Sequence, residues 1–345
     1  MSEVAGQQLL RYPQGAPVQR VESPVAYHRL YRGVPTYRWW RPLVAVLLLG
    51  VFVIFATTIV LTLGIVIGAM TGQIRFDSAA NIEQDIYGLV ELDAANPLKL
   101  AIGLTSVAVM LPLVPLALLC AGLRPVGMVS SISFRLRWRW LAACLVPALV
   151  VMAIVSVVSF VIAPIIDGQP LGSMTVDPGT FAVSALIILL IVPFQAAAEE
   201  YVFRGILMQT LGAWVRWAPL AIVLPTILFA FGHIYDVWGL LDVAAFGLAA
   251  AWITWRTGGL EAGIVMHTVN NVVLFLLLAS GVLGGTAVTS DGGSPFALAV
   301  TIVTMAGYVF WIDRLATRRS IQRRRELTPP PLPLPYAPEA VPRNS

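Results

Sequence analysis

The chain has 345 residues, of which 58% are hydrophobic and 12% charged, with a mean hydropathy of +0.82. A soluble domain carries roughly a quarter charged residues, so this composition excludes an ordinary soluble protein and defines a polytopic membrane protein. The net charge of +4 comes from arginines scattered through loops and tails, which gives no basic face for nucleic acid, and no nucleic-acid partner is expected.

Residues 1–38 mix Gln, Pro, Tyr and Arg without helical periodicity and read as a disordered cytoplasmic tail. Eight apolar stretches follow, at about 43–70, 98–122, 140–166, 180–199, 218–234, 238–255, 259–282 and 296–313, each near the ~20 residues of a spanning helix. The first is too long for the apolar core of a cleavable signal and is expected to be retained. Arg11, Arg20, Arg29, Arg32, Arg38 and Arg41 precede it, and Asp77, Glu83, Asp85, Glu91 and Asp93 follow it. The later connectors alternate in the same way: Arg124, Arg135, Arg137 and Arg139, then Asp167 and Asp177, then Arg216, Asp236, Arg256 and Asp291. Arg314, Arg318, Arg319, Arg323, Arg324 and Arg325 close the series. Arginine therefore alternates with acid, and the positive-inside rule places both termini in the cytoplasm.

The expected fold class is all-α, a polytopic membrane protein of about eight transmembrane helices. A transmembrane domain over 39–316 would be followed by a basic, Pro-rich cytoplasmic tail over 317–345, whose polyproline run cannot build a core. Cys120 and Cys144, isolated in apolar spans, read as small core residues with no disulfide. No Walker-type glycine loop is present, which argues against an ATP-driven pump. Arginine outnumbers lysine twenty-one to one, a composition that points to a GC-rich genome and a bacterial plasma membrane.

Against this apolar background, Glu199-Glu200-Tyr201-Val202-Phe203-Arg204 places three charges at the end of the fourth stretch. Such groups cost from a few to more than ten kcal/mol at bilayer depth and persist where they pair, face a polar cavity or do chemistry. Two of the three histidines also fall in spans: His233 closes Phe229-Ala-Phe-Gly-His233, and His267 opens His267-Thr-Val-Asn-Asn271. Helical residues four apart share a face, so Glu200 can pair with Arg204, Phe229 can pack beside His233, and His267 and Asn271 can aim at one point. Glu199 and His233 lie equally far from Arg216, where spans four and five turn, and so stand level at about 25 Å from that turn. Asp236 and Asp242 are given structural roles, and Glu261 is expected to be solvated at the inner interface.

A carboxylate in a partly dry site can act as general base on a water. A nearby histidine can hold that water and later protonate a leaving amine, while a second histidine and an asparagine can donate to the oxyanion. That is the equipment of an amide hydrolase without a covalent intermediate. The same residues also fit interhelical hydrogen bonding, a proton relay in a transporter, or a non-enzymatic scaffold.

The three motifs, in this order, resemble the CAAX protease and bacteriocin-processing family (CPBP or Abi intramembrane proteases), marked by Glu-Glu-x-x-x-Arg, Phe-x-x-x-His and His-x-x-x-Asn or Asp. The resemblance covers roughly residues 140–280. It implies a glutamate-dependent endopeptidase with its site inside the bilayer and open to the cytoplasm. Glu199 would be the general base assisted by His233, His267 and Asn271 would form the oxyanion hole, and Glu200 and Arg204 would support the site. The implied partners are membrane lipid and a membrane-associated protein or peptide substrate, and no cofactor is implied. Zinc is the less favoured reading: two histidines and a glutamate could hold it, but no His-Glu-x-x-His is present and Arg204 would set a positive charge beside the cation. Some members of the family act as scaffolds or immunity proteins, which keeps a non-enzymatic alternative open.

Overall fold

The computed structural model describes residues 23–75, 77–166, 168, 170–290 and 293–327. The chain enters as strand β1 (Val25–Ala26) and a 3₁₀ turn at Tyr27–Gly33. Helices α1 (Arg41–Met70), α2 (Ala79–Val90), α3 (Pro97–Ala108), α4 (Met110–Cys120), α5 (Trp138–Val157) and α6 (Ala163–Ile166) follow. Then come α7 (Pro178–Glu200), α8 (Met208–Trp214), α9 (Ala218–Phe231), α10 (Val237–Thr257), α11 (Glu261–Ser280), α12 (Pro295–Arg318) and strand β2 (Arg324–Arg325). Local chemistry sets several of the ends. The side chains of Asp177, Asp236 and Ser294 accept the first free amides of α7, α10 and α12, and Gly258, at φ 72°, ends α10 in a left-handed turn.

The protein is an all-α, multi-pass membrane protein. Among the described residues, seven helical runs are long and apolar enough to cross a bilayer: Arg41–Met70, Pro97–Cys120, Trp138–Ile166, Pro178–Trp214, Val237–Thr257, Glu261–Ser280 and Pro295–Arg318. The stretch expected to be a fifth span, 218–234, differs. Its helix α9 has 14 residues, about 21 Å against a hydrocarbon core of about 30 Å. Asp236 is committed to capping α10, and the chain leaves the helix at Gly232 and completes the passage to Asp236 in non-helical form. The fourth stretch, by contrast, does not stop at the charged motif but runs on to Trp214 as a 37-residue helical segment.

The connectors sort into two faces. On one, Arg29 donates to the carbonyl of Gly212 at 3.3 Å, Arg41 to Gly122 at 2.9 Å, and Arg325 to Ile132 at 2.7 Å. On the other, the amide of Val288 donates to Leu92 at 2.9 Å, Thr175 to Ser280 at 3.0 Å and Asp236 to Ser290 at 2.8 Å. The first face carries most of the connector arginines, with Arg75 on the other face beside Asp85, and is the one that the positive-inside rule assigns to the cytoplasm. Both ends of the described chain lie on it.

One expectation about the ends is corrected. Within the tail read as disordered over 1–38, residues 23–38 are folded: Tyr27, Leu30 and Tyr31 are fully buried, and Arg32 donates to the carbonyl of Ala213 at 3.0 Å near the end of α8. These side chains find tertiary partners without any helical period of their own. Within the tail read over 317–345, β2 pairs antiparallel with β1, with Val25 opposite Arg325. The parts of both expectations that concern residues 1–22 and 328–345 lie outside the described residues. Glu261, expected to be solvated, is fully buried and takes Arg137 in a two-point ion pair at 2.8 and 2.7 Å. Cys144 is buried, whereas Cys120 is exposed at the end of α4.

Candidate active site

Directly after Glu200 the helix widens, and residues Tyr201–Leu207 wind as a π-helix before α8 resumes the α form. Such widenings recur at functional sites. Glu200 points inward and is fully buried, while the Glu199 side chain keeps 13% of its surface exposed. Glu200 Oε1 accepts from Arg204 Nη1 at 3.0 Å and meets His267 Nδ1 at 2.9 Å. The other nitrogen of the same imidazole, Nε2, stands 3.2 Å from Glu199 Oε2. Arg204 is itself buried, donates through Nη2 to the carbonyl of Gly247 at 3.0 Å, and lies 4.4 Å above the ring of Phe229.

The hydrogen bonds couple the charge states of this cluster. Were both carboxylates ionised they would only accept, and an imidazole bonded to one through each nitrogen would carry a hydrogen on both. His267 would then be an imidazolium, and it and Arg204 would balance Glu199 and Glu200 to zero net charge. In this arrangement His267 bridges the two carboxylates and has no N–H left for an oxyanion.

His233 reaches the cluster by another route. Its Nδ1 lies 2.9 Å from the carbonyl of Phe229, and its ring packs edge-on to the Phe229 ring at 4.9 Å. Phe229 in turn meets His267 at 6.0 Å and Phe203 at 5.1 Å. A carbonyl can only accept, so Nδ1 carries a hydrogen, and Nε2 is the nitrogen that is unprotonated when the ring is neutral. Among the described residues no hydrogen bond joins His233 to Glu199. The Phe203–Phe229 contact nevertheless sets the register of the hairpin, since both residues are equally far from Arg216. Four residues on, His233 stands level with Glu199, as their spacing about the turn requires.

Asn271 lies one turn beyond His267 on α11. Its Nδ2 donates to Gln195 Oε1 at 3.0 Å, and its Oδ1 accepts from Asn270 at 3.1 Å, leaving one N–H of the amide uncommitted. Gln195 had shown in the sequence only as a polar interruption, yet it sits one turn before Glu199 on the same helix. The four-residue spacing was the signal available. The carbonyl of Gly247 carried no signal, because any residue offers one.

Depth follows from α11. His267 is six residues beyond Glu261, which is tied to Arg137 at the cytoplasmic face, so the cluster lies about 9 Å inside that face. Among the described residues, no group of three or more His, Cys, Asp and Glu side chains is arranged to hold a metal ion. Here the carboxylates and His267 bond to one another and do not converge on a common point.

Residues 180–273, which contain all three motifs, match the family model of the Type II CAAX prenyl endopeptidase Rce1-like proteins. The site-bearing segment of this membrane protein is thus similar to a family of CAAX endopeptidases, as its motifs implied, and the match supports a role in intramembrane proteolysis. The uncharacterized protein YyaK of Bacillus subtilis (strain 168) is 28% identical over 207 residues, covering 55% of this chain and 68% of its own. No solved structure matches the chain.

Proposed function

We propose that the protein is an intramembrane, glutamate-dependent endopeptidase of the bacterial plasma membrane that hydrolyses a peptide bond in a membrane-associated protein or peptide. The observation that carries this reading is the asymmetry of the two glutamates. Glu200 is sealed against Arg204 and His267, whereas Glu199 shares the same imidazolium but keeps part of its surface open. A carboxylate held ionised by a neighbouring cation, and still reachable, suits a base that takes a proton from water.

In this reading a water lies between Glu199 and His233 Nε2. Glu199 accepts one proton as the water oxygen bonds to the substrate carbonyl carbon, and the carbonyl becomes an oxyanion. The free N–H of Asn271 is the donor placed to receive that oxyanion, with the charge of His267 nearby. When the C–N bond breaks, the proton held by Glu199 passes by way of His233 to the leaving amine and the carbonyl reforms as a carboxylic acid, which gives its remaining proton to the freed amine and leaves as a carboxylate. Glu200 and Arg204 do not touch the substrate; they hold His267 and hence Glu199. No metal takes part, and bilayer lipid surrounds the spans.

The test compares the termini of membrane proteins in cells carrying wild type or Glu199→Ala at matched protein level, with and without a permeant zinc chelator. New termini should appear with wild type, persist with chelator and vanish in the variant. Identical termini in wild type and variant would replace this reading with a non-enzymatic scaffold or immunity protein.

A further inference from the structure

Tyr235 makes contacts that the chemistry above does not use. It lies in the non-helical stretch between α9 and α10, and among the described residues it belongs to none of the apolar clusters that form the core. Its side chain is half-buried, and the one ring it meets among the described residues is that of His233, at 5.7 Å between centres and 28° between planes. Offset stacks hold aromatic rings at centre distances of about 4.5–7 Å. The charges of Glu199 and Asp242 both reach the Tyr235 hydroxyl, which makes no hydrogen bond among the described residues. The ring, and not the hydroxyl, is therefore what this side chain brings to the site.

His233 needs such a contact. It stands past the end of α9, where its amide reaches back to Ala230 at 3.0 Å. The hydrogen bond from Nδ1 to the carbonyl of Phe229 fixes one atom of the imidazole and leaves the plane of the ring free to swing about that bond. A second ring stacked on the plane removes that freedom. Tyr235 is itself held from the far side. Next to it, Asp236 accepts from the amide of Gly239 at 2.7 Å and donates its own amide to Ser290 at 2.8 Å. Gly239 leaves the space in which Tyr235 sits, because a Cβ there would fall 2.7 Å from the Tyr235 Cβ. The start of α10 thus sets Tyr235, and Tyr235 sets the plane of His233.

Resting on the endopeptidase reading, we propose that Tyr235 is a positioning residue, whose stacked ring holds the imidazole of His233 in the orientation from which Nε2 serves the water beside Glu199. A proton-transfer group contributes only while its geometry is kept, so a support that touches neither substrate nor proton still sets the rate. Phe229 supports the imidazole from α9, through its carbonyl and its ring. Tyr235 supports it from the start of α10, so that two elements fix one side chain. The stack uses the ring alone, which a phenylalanine also supplies, whereas a leucine fills volume without offering a plane.

The experiment compares the full chain as wild type, Tyr235→Phe, Tyr235→Leu and Gly239→Ala in detergent micelles. The first readout is the NMR spectrum of isotope-labelled histidine, of which the chain has three, with His233→Gln to assign the signal. A stacked aromatic ring displaces the imidazole proton signals of His233. The displacement should be present in wild type and Tyr235→Phe and lost in Tyr235→Leu and Gly239→Ala. The second readout is the rate at which the wild-type-specific termini appear when each protein is mixed with membrane extract of cells carrying Glu199→Ala, which holds the uncut substrate. Tyr235→Leu and Gly239→Ala should slow it about two- to ten-fold, on the scale of one aromatic pair, while Tyr235→Phe cuts as wild type does. Equal losses in Tyr235→Phe and Tyr235→Leu would overturn the stack in favour of the hydroxyl. His233 signals that stay in place in Tyr235→Leu, an undiminished rate in that variant, or rate losses matched by collapsed melting temperatures in both Tyr235→Leu and Gly239→Ala would overturn the positioning outright. Signals that move as expected without any cleavage by wild type would remove the endopeptidase reading and leave His233 held by Tyr235.

Discussion

Arg204 is the residue on which the cluster depends most. It is buried, it divides its guanidinium between Glu200 and the carbonyl of Gly247, and its Cζ stands 4.4 Å from the centre of the Phe229 ring. A lysine carries one point charge and cannot reproduce that fork. Removing one partner of a buried ion pair costs about 3–5 kcal/mol. Arg204→Met should therefore lower thermal stability in detergent by that order, and Arg204→Lys by somewhat less. Glu200→Gln should also lower the melting temperature clearly, since its side chain is fully enclosed. Glu199→Gln should leave the melting temperature close to wild type while abolishing turnover. Equal melting losses for the two glutamates would show that both are structural. The pairing of Glu200 with Arg204 was legible from four-residue spacing alone. The double engagement of His267 was not, because which way an imidazole faces depends on how α7 and α11 pack.

Among the elements, α8 shows how a helix end is used. Its last turn exposes carbonyls that the N-terminal segment covers with Arg29 and Arg32. Gly212 lets the backbones touch: a Cβ there would fall 1.9 Å from the carbonyl oxygen of His28. Gly212→Ala should therefore lift the 3₁₀ turn from α8, and limited proteolysis of the intact protein should cut near residues 27–33 at least several-fold faster than in wild type. Unchanged cutting would mean that the turn is held elsewhere. The sequence showed no period over 23–38 because a seven-residue 3₁₀ helix is too short to display one. It overestimated α9 for the opposite reason, since the apolar run continues to Ile234 although the helix stops at Phe231. Hydropathy registers the solvent a residue meets and is blind to where a cap withdraws backbone from a helix.

At the scale of the molecule, the alternation of arginine and acid was enough to sort the connectors into two faces, because it is a property of connectors and needs no knowledge of packing. Two of the three motifs, those of Glu199 and His233, could likewise be placed at one level from their distances to a single turn. What the chain order hid is that the two ends of its described part meet. Strands β1 and β2 pair, and the amide of Leu327 lies 3.4 Å from the Ser23 hydroxyl. Residues 23–327 thus form a nearly closed ring, and where that ring is opened should matter little to the folded state. A circular permutant that joins Leu327 to Ser23 through a short linker and begins at Trp217, in the exposed turn between α8 and α9, keeps every arginine on its face. It should insert, fold and cleave as the natural order does, measured by the same comparison of membrane-protein termini. Failure to insert would show that the order in which the spans are synthesised, and not only their final contacts, builds this protein.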